Sequence, residues 1–92
     1  MTYTFFEDPG HGWLEVPFSE LEMLGLTDAI SYYSYRFGDK CYLEEDCDMA
    51  IFLNAVGVLT PDDCRNFFAQ YVTEVYQDDP TPIRNYQSYR SE

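Results

Sequence analysis

With 92 residues, seventeen acidic and five basic side chains and a formal net charge of -12, the chain has room for one small domain and not for a two-domain enzyme. Hydrophobic residues make up 46% of it, too many for a disordered acidic tail. The anionic excess excludes direct binding to nucleic acid or to an anionic membrane, since both need a positive face, so the expected partner is basic.

The first eight residues, Met1 to Asp8, hold no basic cluster and no long apolar run, which predicts neither a secretory leader nor a membrane span and gives the cytosol as the expected compartment. Three cysteines, Cys41, Cys47 and Cys64, are odd in number and lack C-x-x-C spacing. They read as reduced thiols, not as a disulfide frame or a zinc site. Stability then has to come from packing, and nine tyrosines with seven phenylalanines supply large areas to bury.

Tyr3 to Phe6 is aromatic and strand-favouring, Asp8-Pro9-Gly10-His11-Gly12 is dense in turn residues, and Trp13 to Val16 resumes a strand that stops at Pro17. This predicts a hairpin. Ser19 followed by Glu22 has capping-box spacing, and Leu21, Leu24 and Gly25 outline a short helix. The tyrosine-rich run Ile30 to Phe37, the pair Gly38-Asp39 and the segment Lys40 to Leu43 predict a second hairpin with a two-residue loop. From Asp48 onward Met49, Ile51, Phe52, Leu53, Ala55 and Val56 predict a broadly buried central helix. Thr60-Pro61 opens a third helix as N-cap and first helical proline, with Cys64, Phe67, Phe68, Tyr71, Val72 and Val75 on one face. Pro80 and Pro82 end it, leaving residues 80–92 as a tail or late strand beyond a single domain of residues 1–79. The order ββαββαα predicts an α+β fold: two hairpins in a mainly antiparallel sheet with about three helices on one face.

The densest charge cluster is Glu44-Glu45-Asp46-Cys47-Asp48, four carboxylates in five residues at a strand-to-helix junction. Helix capping accounts for part of it. A hard-cation site lacks the twelve-residue loop with its central glycine and closing glutamate, so no metal and no cofactor is expected. The remaining reading is a surface that recognises arginine and lysine, extended by Asp62-Asp63 and Asp78-Asp79; Glu7-Asp8 and Glu20/Glu22 repeat the theme. A globule of this length is about 30 Å across, and duplex DNA carries roughly eighteen charges over that length. A net charge of -12 is about two thirds of that, so a DNA-like surface is attainable. Strand alternation puts Tyr33 and Tyr35 on one face, where tyrosine beside carboxylate suits an incoming arginine. His11, the sole histidine, sits between two glycines and reads as part of a tight turn more readily than as the partner of a cysteine nucleophile. No catalytic constellation emerges, and the chain is expected not to be an enzyme.

The stretch Gly10-His11-Gly12-Trp13-Leu14-Glu15-Val16-Pro17, with Leu24-Gly25, Ile30-Ser31, Tyr33-Ser34-Tyr35 and Tyr42-Leu43-Glu44-Glu45-Asp46-Cys47-Asp48, resembles a group of small acidic proteins encoded by phages, plasmids and integrated elements. The resemblance covers roughly the first two thirds of the chain and implies genetic context more than mechanism. In charge, size and origin such proteins are similar to anti-CRISPR and antirestriction proteins. The function this implies is a stoichiometric inhibitor that occludes the basic nucleic-acid-binding surface of a CRISPR effector or restriction enzyme, through Glu44, Glu45, Asp46 and Asp48 helped by Asp62, Asp63, Asp78 and Asp79. An adaptor or dimeric regulator using Trp13 and the tyrosine-rich hairpin as an apolar interface is the alternative, and a nucleotide sponge is disfavoured by the negative field.

Overall fold

A computed structural model describes residues 2–90. Its elements are β1 (Tyr3–Glu7), β2 (Gly12–Pro17), α1 (Phe18–Met23), β3 (Tyr35–Phe37), β4 (Lys40–Glu44), α2 (Met49–Ala55), α3 (Pro61–Tyr71), β5 (Val72–Tyr76), a 3-10 turn at Pro82–Asn85 and β6 (Gln87–Ser88). The strands form one sheet in the order β5-β1-β2-β4-β3-β6. Every pairing is antiparallel except β1 with β5, which is parallel. The fold is α+β, with the helices on one side of the sheet.

The two hairpins form around the turn residues that predict them. Gly38 takes φ +62° in the two-residue link between β3 and β4, a conformation open to glycine at little cost. Gly12 serves a close approach instead: a Cβ there would stand 2.4 Å from Cζ of Phe5, so the β1–β2 pair closes over that ring only with hydrogen at this position.

Alternation along the strands sorts side chains onto two faces. Phe5, Leu14, Val16, Cys41 and Leu43 point to the helices, where Leu21, Ile30, Phe52, Leu53 and Val58 complete the main core. α3 reaches this core edge-on: Phe67 stacks on Tyr3 and Phe68 meets Phe5 at an angle. Trp13, Tyr42 and Ile83 form a second cluster on the opposite face, with Phe6, Tyr35 and Tyr86 packed around them.

Four expectations need correction. α1 starts at Phe18 with Pro17 as its cap and no side-chain cap bond, so Ser19 lies inside the helix. Residues 30–34 are loop, and strand β3 is only three residues long. α2 buries Phe52 and Leu53 but exposes Ala50, Asn54, Ala55 and Val56, one face and not most of its circumference. α3 ends at Tyr71, because Val72-Thr73-Glu74-Val75-Tyr76 is rich in β-branched residues and pairs with β1 from Tyr3↔Val72 to Glu7↔Tyr76. The segment after Pro80 is tied in: Ile83 is buried and β6 pairs with β3, while positions 91 and 92 of the expected tail lie outside the described residues.

Candidate functional site: an acidic turn between two clefts

The acidic run occupies the turn from β4 into α2. Glu45 N–H donates to Gly12 carbonyl at 2.9 Å, and the N–H groups of Cys47 and Asp48 donate to the carbonyl of Glu44 at 3.2 and 2.9 Å. These bonds fix which carboxylates turn inward. Asp48 stands at the N-cap of α2, yet its side chain makes no cap bond. It accepts instead from Ser31 N–H at 3.1 Å, Ser31 Oγ at 2.7 Å and Ser34 Oγ at 2.5 Å, and Ser34 Oγ in turn accepts from Glu44 N–H at 3.0 Å. Asp48 is 2% exposed and clamps the loop of residues 31–34 to the end of β4. Glu44, 6% exposed, accepts from Asp46 N–H at 2.9 Å through Oε1, and its Oε2 lies 3.3 Å from His11 Nδ1. Glu44 and Asp48, both expected to face a partner, are therefore consumed by internal hydrogen bonds, since a buried carboxylate needs donors of its own. Glu45 and Asp46 remain at the surface.

A cleft opens on either side of this turn. The smaller, of about 400 Å³, is lined by His11, Trp13, Tyr33, Tyr35, Glu44, Asp46, Cys47 and Arg84. Tyr33 and Tyr35 do share it, though for another reason than strand alternation: Tyr33 lies in the loop and stacks on Tyr32, while Tyr35 meets the Trp13 ring edge-on. Arg84 lies over the Trp13 ring and is held by Asp8 through two bonds, Nε to Oδ2 at 2.9 Å and Nη2 to Oδ1 at 2.7 Å. That guanidinium, with donated N–H groups from Thr81, Gly10 and His11, holds the Asp8 carboxyl well below the usual range. The cleft brings together a cysteine, a histidine and a glutamate, but not as a nucleophile and its base. Desolvation, the hydrogen bond to Glu44 and the nearby acids push the Cys47 thiol up, and His11 Nδ1 engages Glu44.

The larger cleft, of about 810 Å³, runs between α3 and the β1–β5 edge. Phe5, Met49, Cys64, Phe68 and Ala69 give it an apolar floor, and Glu7, Glu45 and Glu74 stand around it with Arg65. Partial burial raises the Glu45 carboxyl, and repulsion from Asp46, Glu7 and Glu44 adds to the rise. Asp78 belongs to the same end of the sheet, since both it and Glu7 push up the Tyr76 hydroxyl after burial has done so.

The remaining predicted residues separate. Asp62 pairs with Arg65 one helical turn on. Asp63 closes a capping box with Thr60, its carboxylate taking the N–H groups of Leu59 and Thr60 at 3.1 Å each. Asp79 is exposed in the loop after β5. Sequence reasoning missed Glu74 at this edge because it placed that residue on a helix, and it noted Glu7 only as half of an acidic pair.

Of the bases, Arg65 reaches the larger cleft, where it pairs with Asp62, and the others are engaged or placed elsewhere. Arg36 stacks on Phe18, Arg84 is held by Asp8, and Arg90 donates to the carbonyls of Ile30 and Asp28. Lys40 opens the strand that Glu44 closes. Four strand steps put them about 13 Å apart, beyond a Debye length of about 8 Å at physiological salt. Among the described residues no three histidine, cysteine, aspartate or glutamate side chains converge as metal ligands do, and no helix is long and apolar enough to cross a membrane. Comparison with known proteins finds no matching family model, no curated relative and no similar solved structure.

Proposed function

We propose that this chain is a non-catalytic acidic inhibitor that occupies a cationic, nucleic-acid-binding surface of a partner and excludes the nucleic acid sterically. The observation that carries this reading is the gathering of Glu7, Glu45 and Glu74 around one cleft, with Asp46 next to Glu45 and Asp78 beside Tyr76, where the base lining the cleft, Arg65, is already paired with Asp62. A partly desolvated carboxylate crowded by others, as Glu45 is by Asp46, Glu7 and Glu44, gains most from an incoming guanidinium or ammonium, because the same contact relieves the repulsion. The molecule measures 33 × 33 × 21 Å, a span over which duplex DNA carries roughly nineteen charges. The resemblance to proteins of mobile elements favours a host CRISPR effector or restriction enzyme as the partner, in the cytosol.

The test is affinity capture from a host that carries such defence systems, followed by competition with nucleic acid. Wild-type protein is expected to retain a basic complex that DNA or RNA displaces. Reversal of the two free acids, Glu45→Lys with Asp46→Lys, should abolish capture; unchanged capture rejects the site. Glu44 and Asp48 are unsuitable for this test because changing them breaks internal bonds.

A second reading, an adaptor or homodimer joined through aromatic contacts, draws on exposed Tyr32, Tyr33 and Phe37, the last stacked on half-buried Tyr86; Trp13, expected to take part, is buried and cannot. Salt separates the two, since an ionic interface weakens steeply with ionic strength and an aromatic one does not.

A further inference from the structure

The two edges of the sheet are built differently. β6 has two residues, too few to template a neighbour. β5 has five, a run of about 17 Å, and is paired along one side only, to β1. Sheets protect such an edge with proline, bulges, charged side chains (lysine above all), inward-facing charges or a covering element. Val72-Thr73-Glu74-Val75-Tyr76 holds no proline, glycine or lysine; its one guard is the negative charge of Glu74, which repels a like-charged strand and admits a cationic one, and Val75 and Tyr76 are 40% and 59% exposed.

We propose that β5 is a docking edge to which an extended, lysine- or arginine-bearing segment of the partner adds as a further strand. This rests on the reading of the protein as a binder of cationic partners and names how one segment of such a partner would sit. Register supplies the selectivity. Glu74 lies opposite Phe5 and Tyr76 opposite Glu7, both on the side of the apolar-floored cleft, whereas Thr73 and Val75 lie opposite Thr4 and Phe6 on the other side. An added strand places alternate side chains on those two faces. Basic residues on the cleft side would stand beside Glu74 and within reach of Glu7 and Glu45, their stems over Phe68 and Met49. Apolar residues on the far side would meet Val75. The segment selected therefore alternates basic and apolar residues, with main-chain hydrogen bonds giving affinity and the carboxylates giving choice of partner. A second copy of this chain is disfavoured, because it would bring Glu74 toward Glu74 and one net charge of -12 against another.

The probe is a nine-residue peptide alternating lysine and valine, with a control N-methylated at every second residue so that it keeps its charge but cannot complete a ladder. Amide exchange and shift changes are followed on the intact isotope-labelled chain. The expected result is slowed exchange confined to residues 72–76 on adding the peptide, with affinity reduced about tenfold by N-methylation and again by Glu74→Lys. Equal binding of the methylated control overturns strand addition while leaving the electrostatic reading intact. Concentration-dependent protection of β5 without peptide overturns the choice of partner in favour of a second copy. Failure of both peptides to bind overturns the docking edge, and joined with unaltered capture by Glu45→Lys/Asp46→Lys protein it overturns the functional reading as well.

Discussion

The two faces of the sheet are stabilised by different physics. Toward the helices the strands present Phe5, Leu14, Val16, Cys41 and Leu43, and everything that covers them in the buried cluster is apolar. Toward the other side, Trp13, Tyr42 and Ile83 are interleaved with carboxylates, each supplied with donors from the chain itself: Asp8 by Arg84 and three backbone N–H groups, Glu15 by the Tyr42 hydroxyl at 2.9 Å, Glu44 by Asp46 N–H. Part of the acidic excess is thus structural. The first face depends chiefly on packing, with a hydrogen bond from the Tyr3 hydroxyl to Glu20 at its margin, while the second depends also on the ionisation of groups inside it.

Substitutions that damage one face at a time should separate the two. Phe52→Ala removes a fully buried ring from the helix side and should cost about 4 kcal/mol of unfolding free energy, with a deficit relative to wild type that is the same at pH 7 and pH 3. Asp8→Ala on the other side strands Arg84 and the N–H of Thr81, and should cost about 3 kcal/mol at pH 7. Its pH dependence differs in kind. Because the folded state holds the Asp8 carboxyl below its unfolded value, the stabilisation is complete above an unfolded pKa of about 4 and is lost as pH falls toward the folded one. Urea titrations of both variants at several pH values would show the Asp8→Ala deficit shrinking in acid while the Phe52→Ala deficit holds. A constant Asp8→Ala deficit would mean that this face, too, rests on packing.

A smaller effect tests the join between the second face and the C-terminal segment. Ile83 packs with Trp13 and Tyr42, so Ile83→Ala should cost about 2 kcal/mol. Trp13 is the sole tryptophan, so its emission should shift to the red as the cluster loosens. An unchanged spectrum with full stability would show that Ile83 rests on the sheet without sealing it.

The sequence made the hairpins and the opening of α3 legible because their signals are local: turn residues at Gly38-Asp39, and Thr60-Pro61 ahead of an apolar stripe. It misled where two periodicities coincide. Val72 and Val75 continue the helical spacing of Cys64, Phe67, Phe68 and Tyr71, but they also belong to a β-branched run, and the choice was made by β1, nearly seventy residues away in the chain. Nothing in the spacing reveals a parallel partner at that distance. The acidic site was half legible for the same reason. Composition located the turn at residues 44–48, but which carboxylates face outward depends on Ser31 and Ser34, held against it by a loop whose tyrosines read as strand.

Two of the three thiols, Cys41 and Cys47, give the smallest effects and relate the acidic turn to the core. Burial pushes the Cys41 thiol up to about 11, and Cys41 lies on the helix-side face, so it can be alkylated only when that face opens. Cys47 is at the surface, but desolvation, its hydrogen bond to Glu44 and the charge of nearby acids push its thiol up as well. Asp46→Asn removes one of these acids and should lower the Cys47 pKa, and the larger thiolate fraction should speed iodoacetamide labelling a few fold at neutral pH. The accompanying fall in intrinsic nucleophilicity is the weaker dependence, with a Brønsted slope of about 0.4–0.5. Phe52→Ala should do the reverse, hastening the labelling of Cys41 through more frequent opening while leaving Cys47 as it was. If Asp46→Asn quickened both sites alike, the acidic turn would have to be coupled to the helix-side core, and the separation of the two faces would fail at the point where β4 passes into α2.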